Sequence, residues 1–257
     1  MTQQPLHIMA IGAHAADMEI TAGAVILKHT HQGHRATLVH LTLGGRGHAA
    51  LSEEEYTARK LAEAQAAAQA LGADVRILPY RDGELVATEE AKFAVADLIR
   101  ELRPSHLITH WPGSIHKDHR ATFEIVRDAI FYAALPGIKR QYPAHEVIGP
   151  FLTENWEDNI GYTPQIYCDV SSVFEAWQQA IQCYSLFRGQ VSDFDYVSYY
   201  CALATLRGSE AGFLRAVTLA TEHSLAVYMS EGLDQPLSLF TSASPIFRPQ
   251  RKAGTVG

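Results

Sequence analysis

The chain has 257 residues, 47% of them apolar and 19% charged, with a formal net charge of -7. That gives room for one sizeable α/β domain or two small ones, in a composition ordinary for a soluble globular protein. The acidic balance, with no Lys/Arg run against it, argues against a nucleic-acid partner. No stretch reaches the ~18 consecutive apolar residues of a membrane span.

The first half alternates strand and helix patterns. "LHIMAIGAH" is an apolar run with a glycine stop and reads as a strand, followed by a helix from Ile20 to His31. "RATLVHLTLG", rich in β-branched residues, is a second strand. In "SEEEYTARKLAEAQAAAQALGAD", Ser52 and Glu55 form a capping-box pattern and Gly72 a stop, predicting a helix. "VRILPY" is strand three, and "EEAKFAVADLIRELRP" is a helix closed by Pro104. "HLITHWP" is strand four, and "DHRATFEIVRDAIFYAAL" another helix. Four strands alternating with helices predict a Rossmann-like three-layer α/β sandwich with a mostly parallel sheet.

The second half is less regular. "RQYPAHEVIGPFLTENWEDNIGYTPQ" reads as a long loop region with a strand or two, "IYCDVS" as a strand and "SVFEAWQQAIQCYSLF" as a helix. Helices are also expected over Tyr196 to Leu206 and Phe213 to Met229, and the basic "FRPQRKAGTVG" as a frayed tail. No low-complexity linker or repeat divides the chain, so a single domain over 1–257 is expected. The start "MTQQPLH" lacks the pattern of a signal peptide, making the cytoplasm the default. Cys168, Cys183 and Cys201 are odd in number and lack zinc spacing, so they are read as reduced residues.

Thirteen histidines invite a search for metal clusters. Two patterns stand out: His14-x-x-Asp17 after the first strand, and "HKDH", His116 to His119, after the fourth. In a parallel sheet these two strand ends can be neighbours across the switch in strand order, where ligands gather. Together they offer His, Asp and His to one ion, the mixture a catalytic zinc uses with an open position for water. His7, His29, His31, His34 and His106 read instead as solvated or core-edge residues. A dinucleotide loop, a G-x-S-x-G elbow and a Walker A loop are all missing.

In these motifs the chain resembles the LmbE-like, or PIG-L, metal-dependent N-deacetylases of amino sugars. Their A-H-P-D-D signature opens as "AIGAH" does here, and their later T-H-x-P and H-P-D-H correspond to "THWPGSIHKDH". Arg59, Glu63 and Ala67 match a family helix, and Asp82-Gly83-Glu84-Leu85 a family loop. The likeness runs over residues 6 to 125, with a fainter match from "QIYCDVS" onwards. It implies that His14, Asp17 and His119 ligate zinc, with iron(II) also suited to two histidines and an aspartate. His116 would act on the reacting carbonyl as an imidazolium, Asp118 would orient it, and Asp82 and Arg59 would contact the substrate. The implied function is removal of an N-acyl group, N-acetyl above all, from an amino sugar or its conjugate; a homo-oligomer is left open.

Two departures stand against the family pattern. Ala16 occupies the place of the aspartate that is the family's general base, and Gly45 the place of a frequent Glu. Another base can substitute, with Asp118, Glu19 and His48 as candidates. Alternatively hydrolysis has been lost and a metal and sugar site kept, or the alanine is an introduced change. A non-catalytic binder and a metal-dependent hydrolase or lyase acting on another bond are therefore the rival readings.

Overall fold

The computed structural model describes residues 5–158 and 161–222. The first strand, β1 (His7–Gly12), is buried at every position, as its unbroken apolar run requires of a strand covered on both faces. A short helix α1 (Asp17–Thr21) and α2 (Gly23–Thr30) follow, so the predicted helix after β1 starts earlier and breaks at Ala22. Then come β2 (Arg35–His40), α3 (Glu53–Ala70), β3 (Asp74–Ile77), α4 (Glu89–Leu102), β4 (His106–His110) and α5 (Lys117–Ala134). The Ser52–Glu55 capping box forms as expected: the Ser52 side chain accepts from Glu55 N–H, and Glu55 accepts from Ser52 N–H. The remaining elements are β5 (Ile148–Thr153), β6 (Ile166–Asp169), α6 (Phe174–Ile181), α7 (Tyr196–Ala211) and β7 (Ala216–Thr221), with a 3-10 turn at Leu186–Arg188.

The sheet has seven strands in the order β3-β2-β1-β4-β5-β7-β6. β1 to β5 pair in parallel, whereas β7 runs antiparallel to both β5 and β6. One correction falls on β7: residues 213–229 were expected to be helical, and 216–221 are strand. Residues beyond 222, including the basic tail, lie outside the described part.

Apolar clusters cover both faces of the sheet. One joins α1, α2, α3, α6 and α7 to residues such as Ile8, Ala10 and Leu38; the other packs α4 and α5 against Met9, Ile11 and Val39. Alternate β1 residues thus feed opposite layers, as the strand period dictates. The chain steps outward from β1 to β3 and then returns to place β4 beside β1. This reversal leaves a crevice at their carboxyl ends, which is where Gly12 and His110 stand. Among the described residues no helix is long and apolar enough to cross a membrane.

His29, fully buried in α2, gives the layer beside it an acid sensitivity. Its Nδ1 bonds Val25 O at 2.6 Å, and its Nε2 is buried without a partner. Burial pushes its pKa down to about 4. The unfolded chain therefore binds this proton before the folded one does, and stability falls as pH drops from about 6.5 to about 4. At the bottom of that window the loss is of order ~3 kcal/mol. Leucine at position 29 should flatten the fall of Tm between pH 7 and 5; an unchanged slope would remove His29 from the account.

Candidate active site

His14 and Asp17 sit on the turn leaving β1, and His116 to His119 on the first turn of α5 after β4. Parallel pairing of β1 and β4 brings the two turns together. Asp17 is the hub. Its Oδ2 accepts from His14 N–H at 2.8 Å and lies 3.3 Å from both His14 Nδ1 and His119 Nε2. These imidazoles hold the Asp17 carboxyl well below the usual carboxylate range, against the opposing effect of burial. The sequence-predicted trio of His14, Asp17 and His119 therefore converges on one carboxylate oxygen.

His116 packs against both predicted ligand histidines, with ring centroids 4.9 Å from His14 and 4.5 Å from His119. Its Nδ1 accepts the Asp118 backbone N–H at 3.2 Å, which caps α5 and leaves the ring's proton on Nε2. Burial and the neighbouring histidines push its pKa down to about 4. At neutral pH a ring so placed carries no charge and has its free N–H on Nε2. The Asp118 Oδ2 accepts from Gly83 N–H at 2.7 Å and lies 3.3 Å from His14 Nε2. Asp82 joins the same nitrogen, with Oδ1 at 3.2 Å, while its Oδ2 accepts from Arg46 N–H.

The remaining site expectations separate. Arg59 is exposed on α3 and does not line the cavity; the next residue, Lys60, is buried and does. Glu63 turns inward to accept Ser185 N–H at 3.0 Å. Of the substitute bases, Glu19 is buried behind the site, bonded to Tyr184 OH and 3.3 Å from His40. His48 spends its Nδ1 on Ala50 and Leu51 N–H, away from the cavity. At Gly45 a Cβ would stand 2.0 Å from Thr57 Oγ1 and 3.2 Å from Glu53 O, so the family's glutamate would require Thr57 to shift.

Three polar residues of the site carried no assigned role in the sequence reading. His110, fully buried at the end of β4, accepts Ala13 N–H at 2.9 Å and stacks on His119 with centroids 4.0 Å apart. Burial and His119 push its pKa down to about 3. Its place in "THWP" was the available signal. Glu157, from "ENWED", lies 3.3 Å from His119 Nδ1, and burial raises its pKa. Lys60 is the third, and no local pattern marks it. A cavity of about 440 Å³ opens over the cluster, lined also by Ala16, Tyr56, Asn155, Trp156 and Tyr196.

The donor set fits a divalent cation. Ligand atoms of His14, His116 and His119 lie within 4.8 Å of one another, as do those of Asp17, His110 and His119, and of His14, Asp82 and Asp118. Asp118 Oδ1 and His110 Nδ1 are buried without hydrogen-bond partners. Packing so many imidazoles and carboxylates out of water is costly unless a cation organises them.

Residues 9–130 match the family model of PIG-L, the GlcNAc-PI de-N-acetylases. The 4-oxalmesaconate hydratase of Pseudomonas putida is 27% identical over 215 residues, 79% of this chain and 80% of that one. The diacetylchitobiose deacetylase of Thermococcus kodakarensis is 27% identical over 188 residues, 68% of this chain and 67% of its own. A probable N-acetyl-α-D-glucosaminyl L-malate deacetylase of Bacillus cereus is 29% identical over 180 residues, 66% of this chain and 78% of that one. Solved structures share the fold. The 4-carboxy-2-hydroxymuconate hydratase of Pseudomonas putida superposes with TM-score 0.76 at 22% identity, covering 85% of this chain and 96% of that one. The N,N'-diacetylchitobiose deacetylase of Pyrococcus horikoshii gives 0.74 at 21% identity, covering 90% and 89%.

Proposed function

We propose that this chain, which carries a PIG-L (LmbE-like) domain over residues 9–130, is a metal-dependent hydrolase that removes an N-acyl group from an amino sugar or its conjugate. The observation that carries this reading is the convergence of His14 and His119 on Asp17 Oδ2 at the floor of the cavity. These three residues would hold the ion, zinc or iron(II). When bound, it supplies a Lewis acid and a water acidified to a pKa near ~7. The chain's own groups do the rest. Asp118 and Asp82 fix the His14 ring through Nε2, and Glu157 and Ser114 face His119 Nδ1. His116 presents its Nε2–H to oxygen charge developing on the carbonyl, as a preorganised neutral donor. Trp156 and Tyr196 offer apolar faces to a ring-shaped substrate.

The test is divalent-metal content measured together with amine release across a panel of N-acetyl sugars. His116→Ala separates donor from ligand: metal stoichiometry should stay near that of wild type while turnover falls roughly 10²- to 10³-fold. Loss of the metal in that variant would make His116 a ligand and overturn the division of roles.

Ala16 favours a second reading, in which the same site adds water to a carbon–carbon double bond, as the hydratase relative's name describes for that protein. Such a reaction delivers hydroxyl to one carbon and a proton to its neighbour, and it expels no amine. Loss of an unsaturated acid's absorbance without amine release would select this reading.

A further inference from the structure

Lys60 has no role in either reaction as described, yet its setting is unusual for a lysine. It projects from α3 with 3% of its surface exposed and lines the cavity together with His14, Asp17, Asp82, His116 and His119. Its Nζ donates one hydrogen bond, to Ala15 O at 2.5 Å, and stands 4.8 Å from the Tyr184 ring centroid. No described carboxylate comes within ion-pairing distance of it. Two of its three donors therefore lack a protein acceptor, in a place where an unpaired charge is costly.

The surroundings point in the same direction. Lys60 is the one Lys or Arg among the described residues lining this cavity. It belongs to the reaction centre, because a Cβ on Gly44 would meet His14 Cβ at 3.3 Å and Lys60 Cε at 3.7 Å. Position 16, next to the carbonyl that Lys60 holds, carries a methyl group. A carboxylate there would have been a counter-ion for the lysine and a repulsion for any anion. No carboxylate stands at position 16 to pair with the ammonium, and Asp17, Glu19, Glu63 and Asp82 act on it from beyond ion-pairing distance.

We propose that Lys60 is the receptor for a carboxylate of the substrate, so that the site takes small organic acids, or conjugates bearing a carboxylate, in preference to neutral N-acetyl sugars. The carboxylate completes the hydrogen bonding of the ammonium and anchors the substrate beside the His14–Asp17 turn. This deepens the proposed function by naming the substrate class, and it rests on that reading only for where the chemistry occurs. Either an acidic N-acyl conjugate or an unsaturated acid would satisfy the lysine.

Equilibrium binding to the metal-loaded protein tests this, with fumarate, succinate, dimethyl fumarate and N-acetylglucosamine as probes. Lys60→Gln keeps an N–H for Ala15 O and removes only the charge; Lys60→Arg keeps the charge. Fumarate or succinate should bind more tightly than dimethyl fumarate or N-acetylglucosamine. Its dissociation constant should rise roughly 10-fold or more in Lys60→Gln and change far less in Lys60→Arg. Metal content, read in every variant, should stay constant. Equal diacid affinity in wild type and Lys60→Gln overturns the proposal, as does a wild-type preference for the neutral probes. A protein that holds no metal yet binds diacids through Lys60 would sink the metal reading and leave this one standing.

Discussion

Alanine in place of His119 should leave the protein folded and unable to retain a divalent ion, with turnover at background. His119 Nε2 is 3.3 Å from Asp17 Oδ2, and Glu157 and Ser114 both face its other nitrogen. Removing an outer-shell partner of a metal ligand costs about 10- to 100-fold in affinity, and removing the ligand itself costs more. The fold should survive, because His119 meets β4 at its last residue, His110, and the sheet core lies behind the site. His110 complicates the outcome. Stacked 4.0 Å from His119 with its Nε2 3.2 Å from Asp17 Oδ2, it is placed to take over part of the coordination. Its bond from Ala13 N–H would have to break first. Metal content of His119→Ala, alone and combined with replacement of His110, measures this rescue. Equal metal in wild type and in the double variant would remove the ligand assignment.

That His14, Asp17 and His116 to His119 would cluster was legible because each half is a local pattern at a strand end, and the alternation of strands and helices places both ends in one crevice. α3 was legible for a similar reason, since its capping box and glycine stop are local. Lys60 was not. It and Arg59 are adjacent on one helix, and only the docking of α3 decides which cation turns inward. Glu157 lies in an irregular loop whose course depends on β5 and α7, so no periodicity could place it. Within the helix expected over 213–229, residues 216–221 are strand, because a short apolar run suits either state. The open edge between β5 and β6, filled by β7, selected strand. The contact of Asp118 with His14 joins residues 104 apart in sequence, which no local pattern shows.

Aspartate at position 16 should raise deacetylation of a true substrate by ~10²-fold or more, the scale of general acid–base assistance. The backbone favours this exchange. Ala16 has φ 96°, ψ -22°, a left-handed conformation that alanine adopts only at a cost of roughly 1–2 kcal/mol. Aspartate and asparagine are several-fold enriched there. The turn at position 16 thus already has a backbone shape that suits aspartate. Ala16 is buried at the edge of the core and also lines the cavity, which puts a carboxylate on its Cβ within reach of the site. The new group should appear as an acidic limb in the pH–rate profile. A cost follows from Lys60: the added carboxylate would stand near its ammonium and compete with an acidic substrate, raising KM for diacids while kcat for amide hydrolysis rises. The two effects separate the readings. A gain in amine release with weaker diacid binding supports a hydrolase site that lost its base and gained an anion receptor. A variant that loses double-bond hydration and gains no amine release selects the hydratase reading. No amine release from either protein, and no change in diacid affinity, would show that position 16 does not face the reacting group.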